Sequence, residues 1–254
     1  MENSIREIKW SWDNFEIQDI LLKYYKEWIF NSQDEADAMV ERIVSLAGIK
    51  SPGKVVDIGC GLGYHAKAFS EKGFDVFAFD PGNRYTEIAD QINQNDKRVE
   101  IKTMTCSELD SPATFSLAWA GWYCPGQLTD REVVADFKRI YDSLCPGGWF
   151  VSNVAGKQKI PPMDSVKNWR QLSDCFALSE KRADETFFYE ESWFIYPEKN
   201  ETIKIVEVER MYSLNDILPL LAEAGFKDII SARTLKGDEP AKEGEYFAFW
   251  CRKP

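Results

Sequence analysis

Residues 55 to 69 read VVDIGCGLGYHAKAF. Three glycines, Gly59, Gly61 and Gly63, fall at alternate positions between an apolar run and an amphipathic one, and Asp57 stands two residues ahead of the first. A glycine-rich turn between strand and helix lets a ligand approach bare backbone, and the helix N-terminus behind it offers unpaired N–H groups. A dinucleotide-binding turn would read GxGxxG; here Tyr64 takes the third place, and the spacing is DxGxGxG.

Working outward, KVVDIG follows a break at Ser51-Pro52-Gly53, and the pattern then alternates. HAKAFSEKG (65–73) reads as a helix, FDVFAFD (74–80) as a strand, YTEIADQINQN (85–95) as a helix and VEIKTMT (99–105) as a strand. FSLAWAG (115–121) is a strand, TDREVVADFKRIYDSLC (129–145) a helix with Thr129-Asp130 as its N-cap, and GGWFVSNV (147–154) a strand. Strands alternating with helices of this length imply βαβ units and a mostly parallel sheet. From about 156 the texture changes: 173–182, 186–197 and 202–212 are extended, alternating segments separated by turn-like ADE and EKNE. They read as an antiparallel meander inserted after the fifth parallel strand. A capped helix (213–226) and two strands (227–235, 244–253) follow, and two helices (15–30, 34–48) precede the first parallel strand.

The expectation is an α/β chain with a doubly wound, seven-stranded, mostly parallel sheet and an inserted antiparallel meander. Its segments are an N-terminal helical lid (1–50), an α/β core (51–155), the antiparallel insert as a substrate lid (156–212), and the C-terminal helix with the last two strands of the core sheet (213–254).

The bulk properties narrow the function. With 42 acidic against 31 basic residues and no basic block, the chain offers no landing place for a nucleic acid backbone. No stretch approaches the 18 or so apolar residues of a membrane span, and MENSIREIKW lacks the apolar core of a signal peptide. The six cysteines are scattered, with no CxxC pair, which reads as free thiols in a reducing compartment and no metal site. The chain reads as cytoplasmic.

The DxGxGxG string resembles the first motif of the class I S-adenosylmethionine-dependent methyltransferases. Further residues carry the resemblance from about residue 35 to the C-terminus: FAFD, which puts Asp80 21 residues after Gly59; LCPGGWFVSNV (144–154); and SLNDILPLLAEAGF (213–226). The resemblance implies S-adenosylmethionine as cofactor and S-adenosylhomocysteine as product. Asp80, with Pro81 beside it, would grip the ribose hydroxyls. Gly59, Cys60, Gly61 and Gly63 would pass under the methionine part, with Asp57 ordering the loop or meeting the amine. Aligning SEL (107–109) with the family's "R-E-L" places Thr105, Cys106 and Ser107 at the adenine, with Thr105 where the family often has an Asp. Ala120 and Gly121 would lie at the methionine end, and Tyr24 of the N-terminal helix near the sulfonium. Tyr24, Tyr25 and Trp28 read equally well as an ordinary core stripe.

Ligands of open α/β sheets sit beyond the carboxyl ends of the strands, which brings GWYCPGQL (121–128) beside the transferable methyl. That stretch lacks the Asp/Asn-Pro-Pro-aromatic motif of base N-methyltransferases, and no carboxylate cluster for magnesium is visible. The resemblance therefore implies a small-molecule acceptor, with Trp122, Tyr123, Gln127 and Trp193 as its walls. His65 and Tyr123 are the candidate bases; each also reads as packing, and an amine acceptor needs no base. Glu190 and Glu191 are adjacent on an extended segment and face opposite ways, so they read as a solvated edge or, if one faces inward, as a holder of a cationic amine. The alternatives are a non-catalytic S-adenosylmethionine-binding protein, which would lack an accessible pocket near Tyr123 and Gln127, and a nicotinamide-dependent oxidoreductase, against which the missing GxGxxG counts. The chain is expected to be a monomer or a homodimer, the exposed meander edge being the place a dimer would form.

Overall fold

The computed structural model describes residues 4–123, 129–154, 166–235, 239–240 and 247–254, without the side chains of Ser4, Trp28, Trp122 and Tyr123. The chain opens with strand β1 (Ser4–Lys9), then helices α1 (Phe15–Tyr24), α2 (Lys26–Ile29) and α3 (Gln33–Ala47). The alternating part follows as β2 (Lys54–Ile58), α4 (Tyr64–Glu71), β3 (Asp75–Asp80), α5 (Asn83–Asn93), β4 (Val99–Thr103), β5 (Phe115–Tyr123), α6 (Asp130–Ser143) and β6 (Leu144–Val154). Four strands come next, β7 (Val166–Gln171), β8 (Phe176–Ala183), β9 (Phe187–Tyr196) and β10 (Glu201–Arg210), and then α7 (Leu214–Glu223), β11 (Lys227–Ala232) and β12 (Phe247–Arg252).

Strands β11-β12-β6-β5-β2-β3-β4 form one sheet in that order. Pairs β4–β3, β3–β2, β2–β5 and β5–β6 are parallel, and β12 runs antiparallel to both neighbours. Both faces are covered, so neighbouring residues of one strand serve two cores. Val56, Ala118, Phe150 and Phe249 face α6 and α7, meeting Val133, Phe137, Ile140, Ile217 and Leu221. Val55, Leu117, Val151 and Trp250 face α3 and α4, meeting Val40, Ile43, Ala66 and Phe69. The expected doubly wound seven-stranded sheet is present.

The inserted meander is larger than its sequence suggests. β8, β9 and β10 are the three expected antiparallel strands. The ADE turn closes where the Asp184 carboxylate accepts the N–H groups of Thr186 (2.7 Å) and Phe187 (2.6 Å). Two further strands flank them, giving the order β1-β10-β9-β8-β7. The N-terminal segment is thus not wholly helical: β1 pairs parallel to β10, and the helices begin at Phe15. Both added strands lie at sheet edges, where backbone pairing, not a local apolar pattern, makes the strand: β1 on the remote β10, and β7, exposed throughout, on the adjacent β8. The 15–30 helix breaks at Tyr25 (φ −129°) into α1 and α2.

Helix α1 sits on the inner face of the second sheet. Its Ile17, Ile20 and Leu21 pack with Ala177, Phe194, Ile203 and Ile205. Its buried Gln18 accepts the N–H of Arg84 (2.9 Å) at the start of α5 and donates to the Trp12 carbonyl (2.8 Å). That side chain ties the insert sheet's helix to the core.

Phe150 is fully buried and packs against the rings of Phe137, Phe226 and Phe249 at 5.2 to 5.9 Å. Phe150→Ala is expected to lower the unfolding free energy by about 3–5 kcal/mol, read as a shifted urea midpoint.

Candidate functional site

The loop after β2 explains its own glycines. Gly61 (φ +53°) adopts a conformation that side chains rarely take, and a Cβ there would stand 3.0 Å from the Phe30 ring. Gly63 (φ +78°) starts α4, and a Cβ would meet Ala89 and Asn93 at 2.8 Å. The first glycine leaves room for a neighbour above the loop; the second lets α4 and α5 close on each other.

At the end of β3, the Asp80 carboxylate is 8% exposed and accepts two backbone N–H groups, from Gly61 (3.0 Å) and Gly82 (2.8 Å). Burial outweighs these bonds and raises its pKa to about 6. Asp57 is 1% exposed, takes the backbone N–H of Ala66, and has an Oδ2 with no partner. Burial, and then the nearby Asp80 charge, raise its pKa to about 8.

Around the loop lies a cavity of about 470 Å³ at the carboxyl ends of β2, β3 and β5. Of the residues expected to hold a cofactor, Gly59, Cys60, Gly61, Asp80, Pro81, Thr105, Cys106 and Gly121 line it, as does His65. Others do not. Asp57 and Gly63 lie behind the loop, and neither they, Ser107 nor Ala120 is part of the wall. Ala120 faces the core beside Val154 and Phe150. Tyr24 stacks on Phe194 (6.3 Å) and donates its hydroxyl to Asp174, so it belongs to the insert sheet rather than to this cavity. Trp193 lies on the opposite face of β9 from Phe194, under the Lys204 ammonium (5.6 Å). Gln127 lies outside the described residues, as do the side chains of Trp28, Trp122 and Tyr123.

His65 is half-buried against Trp119 (5.5 Å between rings), with Nε2 3.4 Å from the Asn31 amide. Burial lowers its pKa to about 4, which keeps the imidazole neutral. Thr105 is already committed locally: with Glu108 it forms a capping box over the Cys106–Glu108 turn (Oγ1 to Oε2, 3.0 Å). Four wall residues carry no signal in the local sequence pattern: Phe30, Asn31, Tyr85 and Asp136. Phe30 meets the Tyr85 ring edge-on at 5.0 Å, closing the N-terminal segment over the loop. The Tyr85 hydroxyl is buried without a partner. Asp136 comes from the polar side of α6 to stand beside Cys106, whose thiol is pushed up by burial and then by the Asp136 charge. Among the described residues there is no cluster of His, Cys, Asp or Glu able to hold a metal, and no helix long and apolar enough to cross a membrane.

A sequence model described as a methyltransferase domain matches residues 30–230. The chain belongs to the methyltransferase-domain family. A protein of Geobacillus sp. (strain WCH70), assigned by name to the methyltransferases, is 22% identical over 233 residues, 87% of this chain and 92% of that protein. An S-adenosylmethionine-dependent methyltransferase from Clostridium acetobutylicum ATCC 824 superposes with a TM-score of 0.73 at 14% identity, covering 93% of this chain and 97% of the other. An amino pentose methyltransferase from Micromonospora echinaspora, solved with S-adenosylmethionine bound, gives a TM-score of 0.67 at 16% identity, covering 95% and 98%. These superpositions establish the shared fold.

The residues present fit the cofactor of this family, S-adenosylmethionine. A carboxylate accepts up to about four hydrogen bonds, and Asp80 has two backbone donors, which leaves capacity for ribose hydroxyls. The unpartnered Tyr85 hydroxyl adds a second polar group on the same wall. Phe30 and Tyr85 present aromatic surface suited to a sulfonium cation.

The raised Asp57 carboxyl makes the free protein's stability pH-dependent. Its folded pKa, about 8, lies above its ordinary value of 3.8, so the folded state holds the extra proton and stability falls as pH rises between them. Asp80 contributes in the same sense up to about pH 6. Asp57→Asn is therefore expected to gain stability relative to wild type as pH rises from 5 to 8, measured by urea unfolding at each pH.

Proposed function

We propose that this chain transfers the methyl group of S-adenosylmethionine to a nitrogen or oxygen of a small molecule, with catalysis resting mainly on positioning. The observation that carries this reading is the buried Asp80 carboxylate, fixed by Gly61 and Gly82 at the mouth of the strand-end cavity and still able to accept hydrogen bonds. When bound, the cofactor supplies an electrophilic methyl on a cationic sulfonium, which an incoming lone pair displaces in line.

The protein's own residues would do the holding. Asp80 takes the ribose, with Pro81 beside it. Thr105, Cys106 and Asp136 wall the adenine end, and Asp136 stands where the charge absent from Thr105 would be wanted. The Gly59–Gly61 backbone and Gly121 flank the methionine end, while Phe30 and Asn31 close over it. Each aromatic face near a sulfonium contributes on the order of 0.5–2 kcal/mol. Holding two reactants in line removes up to roughly 7–11 kcal/mol of barrier. His65, with a pKa near 4, is a poor proton acceptor at neutral pH, so it serves to position Asn31 and to pack on Trp119.

The small-molecule part of the proposal draws support from the shared fold of relatives whose acceptors are small: an amino pentose methyltransferase and a sugar N-methyltransferase from Streptoalloteichus sp. ATCC 53650. The acidic balance of the chain also disfavours a polyanionic acceptor. In this reading the N-terminal segment and the second sheet form a lid over the acceptor.

Calorimetric titration tests the cofactor assignment. S-adenosylmethionine and S-adenosylhomocysteine are expected to bind in the micromolar range, and Asp80→Ala to weaken both by about 1.5–3 kcal/mol, roughly ten- to more than a hundredfold. Binding of NADH in their place would overturn the proposal.

A further inference from the structure

A second cavity, of about 330 Å³, lies on the inner face of the five-stranded sheet under α1 and α2. Ile29 lines both cavities, Trp10 lines this one and Trp12 the other, and the two indoles meet edge to face at 5.2 Å. The boundary between the two cavities is thus one isoleucine and a tryptophan pair.

The register of the sheet grades the floor of this cavity from apolar to charged. One cross-strand row is Arg170, Ala177, Phe194 and Ile203; the next on the same face is Asn168, Ser179, Ser192 and Ile205. The third is Val166, Lys181, Glu190 and Glu207. Trp10 donates its backbone N–H to the Val206 carbonyl (2.8 Å), which places the charged row at the Trp10 end, next to the cofactor cavity. Arg170 is four residues along β7 from this row, about 13 Å away.

The charges in this row do not balance. Glu190 pairs with Lys181 at 2.8 Å and also accepts the Ser192 hydroxyl at 3.0 Å. Glu207 stands directly across from Glu190, an arrangement that opposes like charges, and shares a hydrogen bond with the Glu209 carboxyl two residues on. Glu209 Oε1 is buried with no partner, and the Trp10 indole nitrogen on the cavity wall is likewise buried and unpartnered. Three carboxyl groups therefore share one ammonium on a face that excludes much of the water. A partly desolvated wall with more carboxyl groups than cations, hydroxyls on its floor and aromatic rings at its sides favours a hydroxylated cation that balances the excess.

We infer that this cavity is the acceptor site and that Glu207, with Glu190, selects an acceptor carrying a free amine on a hydroxylated ring. This rests on the methyltransferase reading above and narrows it from nitrogen or oxygen to nitrogen. Glu207 contacts the ammonium form, and Ser179 and Ser192 face the ring hydroxyls. Only the neutral amine has a lone pair, so the ammonium first passes one proton to the Glu207 carboxylate. The N–C bond to the methyl then forms as the C–S bond breaks, and S-adenosylhomocysteine leaves as the neutral thioether, with the positive charge now on the methylated amine.

The test is calorimetric, on the intact protein saturated with S-adenosylhomocysteine. The probes are the free 2-, 3- and 4-amino-deoxyhexoses and their N-acetyl forms. At least one free amine is expected to bind tenfold or more tightly than its N-acetyl counterpart. E207Q is expected to erase that preference, while S-adenosylhomocysteine affinity and the thermal unfolding temperature stay within twofold and about 2 °C of wild type. E190Q, if E207Q does not fold, is expected to do the same. Ser192→Trp, which fills the cavity, is expected to abolish amine binding with the cofactor product still bound. Equal binding of free and acetylated forms, no binding of any amine, or a preference that survives both glutamate variants would overturn the inference. If S-adenosylhomocysteine itself does not bind, the methyltransferase reading falls instead.

Discussion

The structure hangs on one buried carboxylate accepting two backbone N–H groups. Asp80 ends β3, yet its two oxygens hold Gly61 in the loop after β2 and Gly82 in the turn before α5. Two loops from neighbouring parallel strands are thereby fixed relative to each other at the edge where a ligand enters. The arrangement is costly: burial raises the Asp80 pKa to about 6 in spite of both hydrogen bonds. A ligand that brought hydroxyl donors to the remaining lone pairs would relieve that cost, so in the proposed function the interaction that orders the loops would also prepare them for the ribose.

From this anchor the rest of the site follows by layers. Gly61 has no side chain because Phe30 occupies the space above it, and Phe30 in turn rests on Tyr85, one turn into α5. Gln18 links α5 to α1, and α1 is the roof of the second sheet. The acceptor cavity proposed there is therefore not an independent module. Its roof is tethered, through one buried amide, to the same helix whose first turn borders the cofactor cavity. A ligand that ordered Phe30 would also bear on α1, since only α2 lies between them in the chain.

What was legible in the sequence was what is local. The strand–helix alternation, the DxGxGxG turn, Asp80 at a strand end and the Thr129 cap each rest on patterns within a few residues, and the fold reproduces them. The edge strands β1 and β7 were not legible: Ile5 and Ile8 become a strand only by pairing with β10, far along the chain, and the exposed VKNWRQ segment, though it forms a short hairpin with β8, has no buried face to give it an alternating pattern. Phe30, Asn31, Tyr85 and Asp136 escaped for the same reason: nothing in their neighbourhoods marks them, and the fold alone brings them to the cavity. The motif also concealed a division of labour. Gly59 and Gly61 face the cavity, whereas Asp57 and Gly63 serve the packing of α4, through the Ala66 N–H and the contact with Ala89. Tyr24 and Trp193 read as site aromatics because an aromatic stripe has no address until the second sheet is assembled around it.

A common electrostatic logic joins the two cavities. Behind the glycine loop, burial and then the Asp80 charge hold Asp57 above the ordinary carboxylate range; on the second sheet, burial and then the Glu209 charge do the same to Glu207. Neighbouring buried carboxyl groups are unfavourable in the free protein, and a fold selected for stability alone would replace them with apolar residues. In the proposed reading these carboxyl groups have one physical use in common, which is to meet positive charge that arrives with a ligand. The proposed cofactor is a sulfonium and the proposed acceptor an amine, so both reactants are cations that would repel each other in water. Carboxyl groups that ionise as a cation arrives, on either side of Ile29 and the Trp10–Trp12 pair, would let the protein offset that repulsion before the two are brought together.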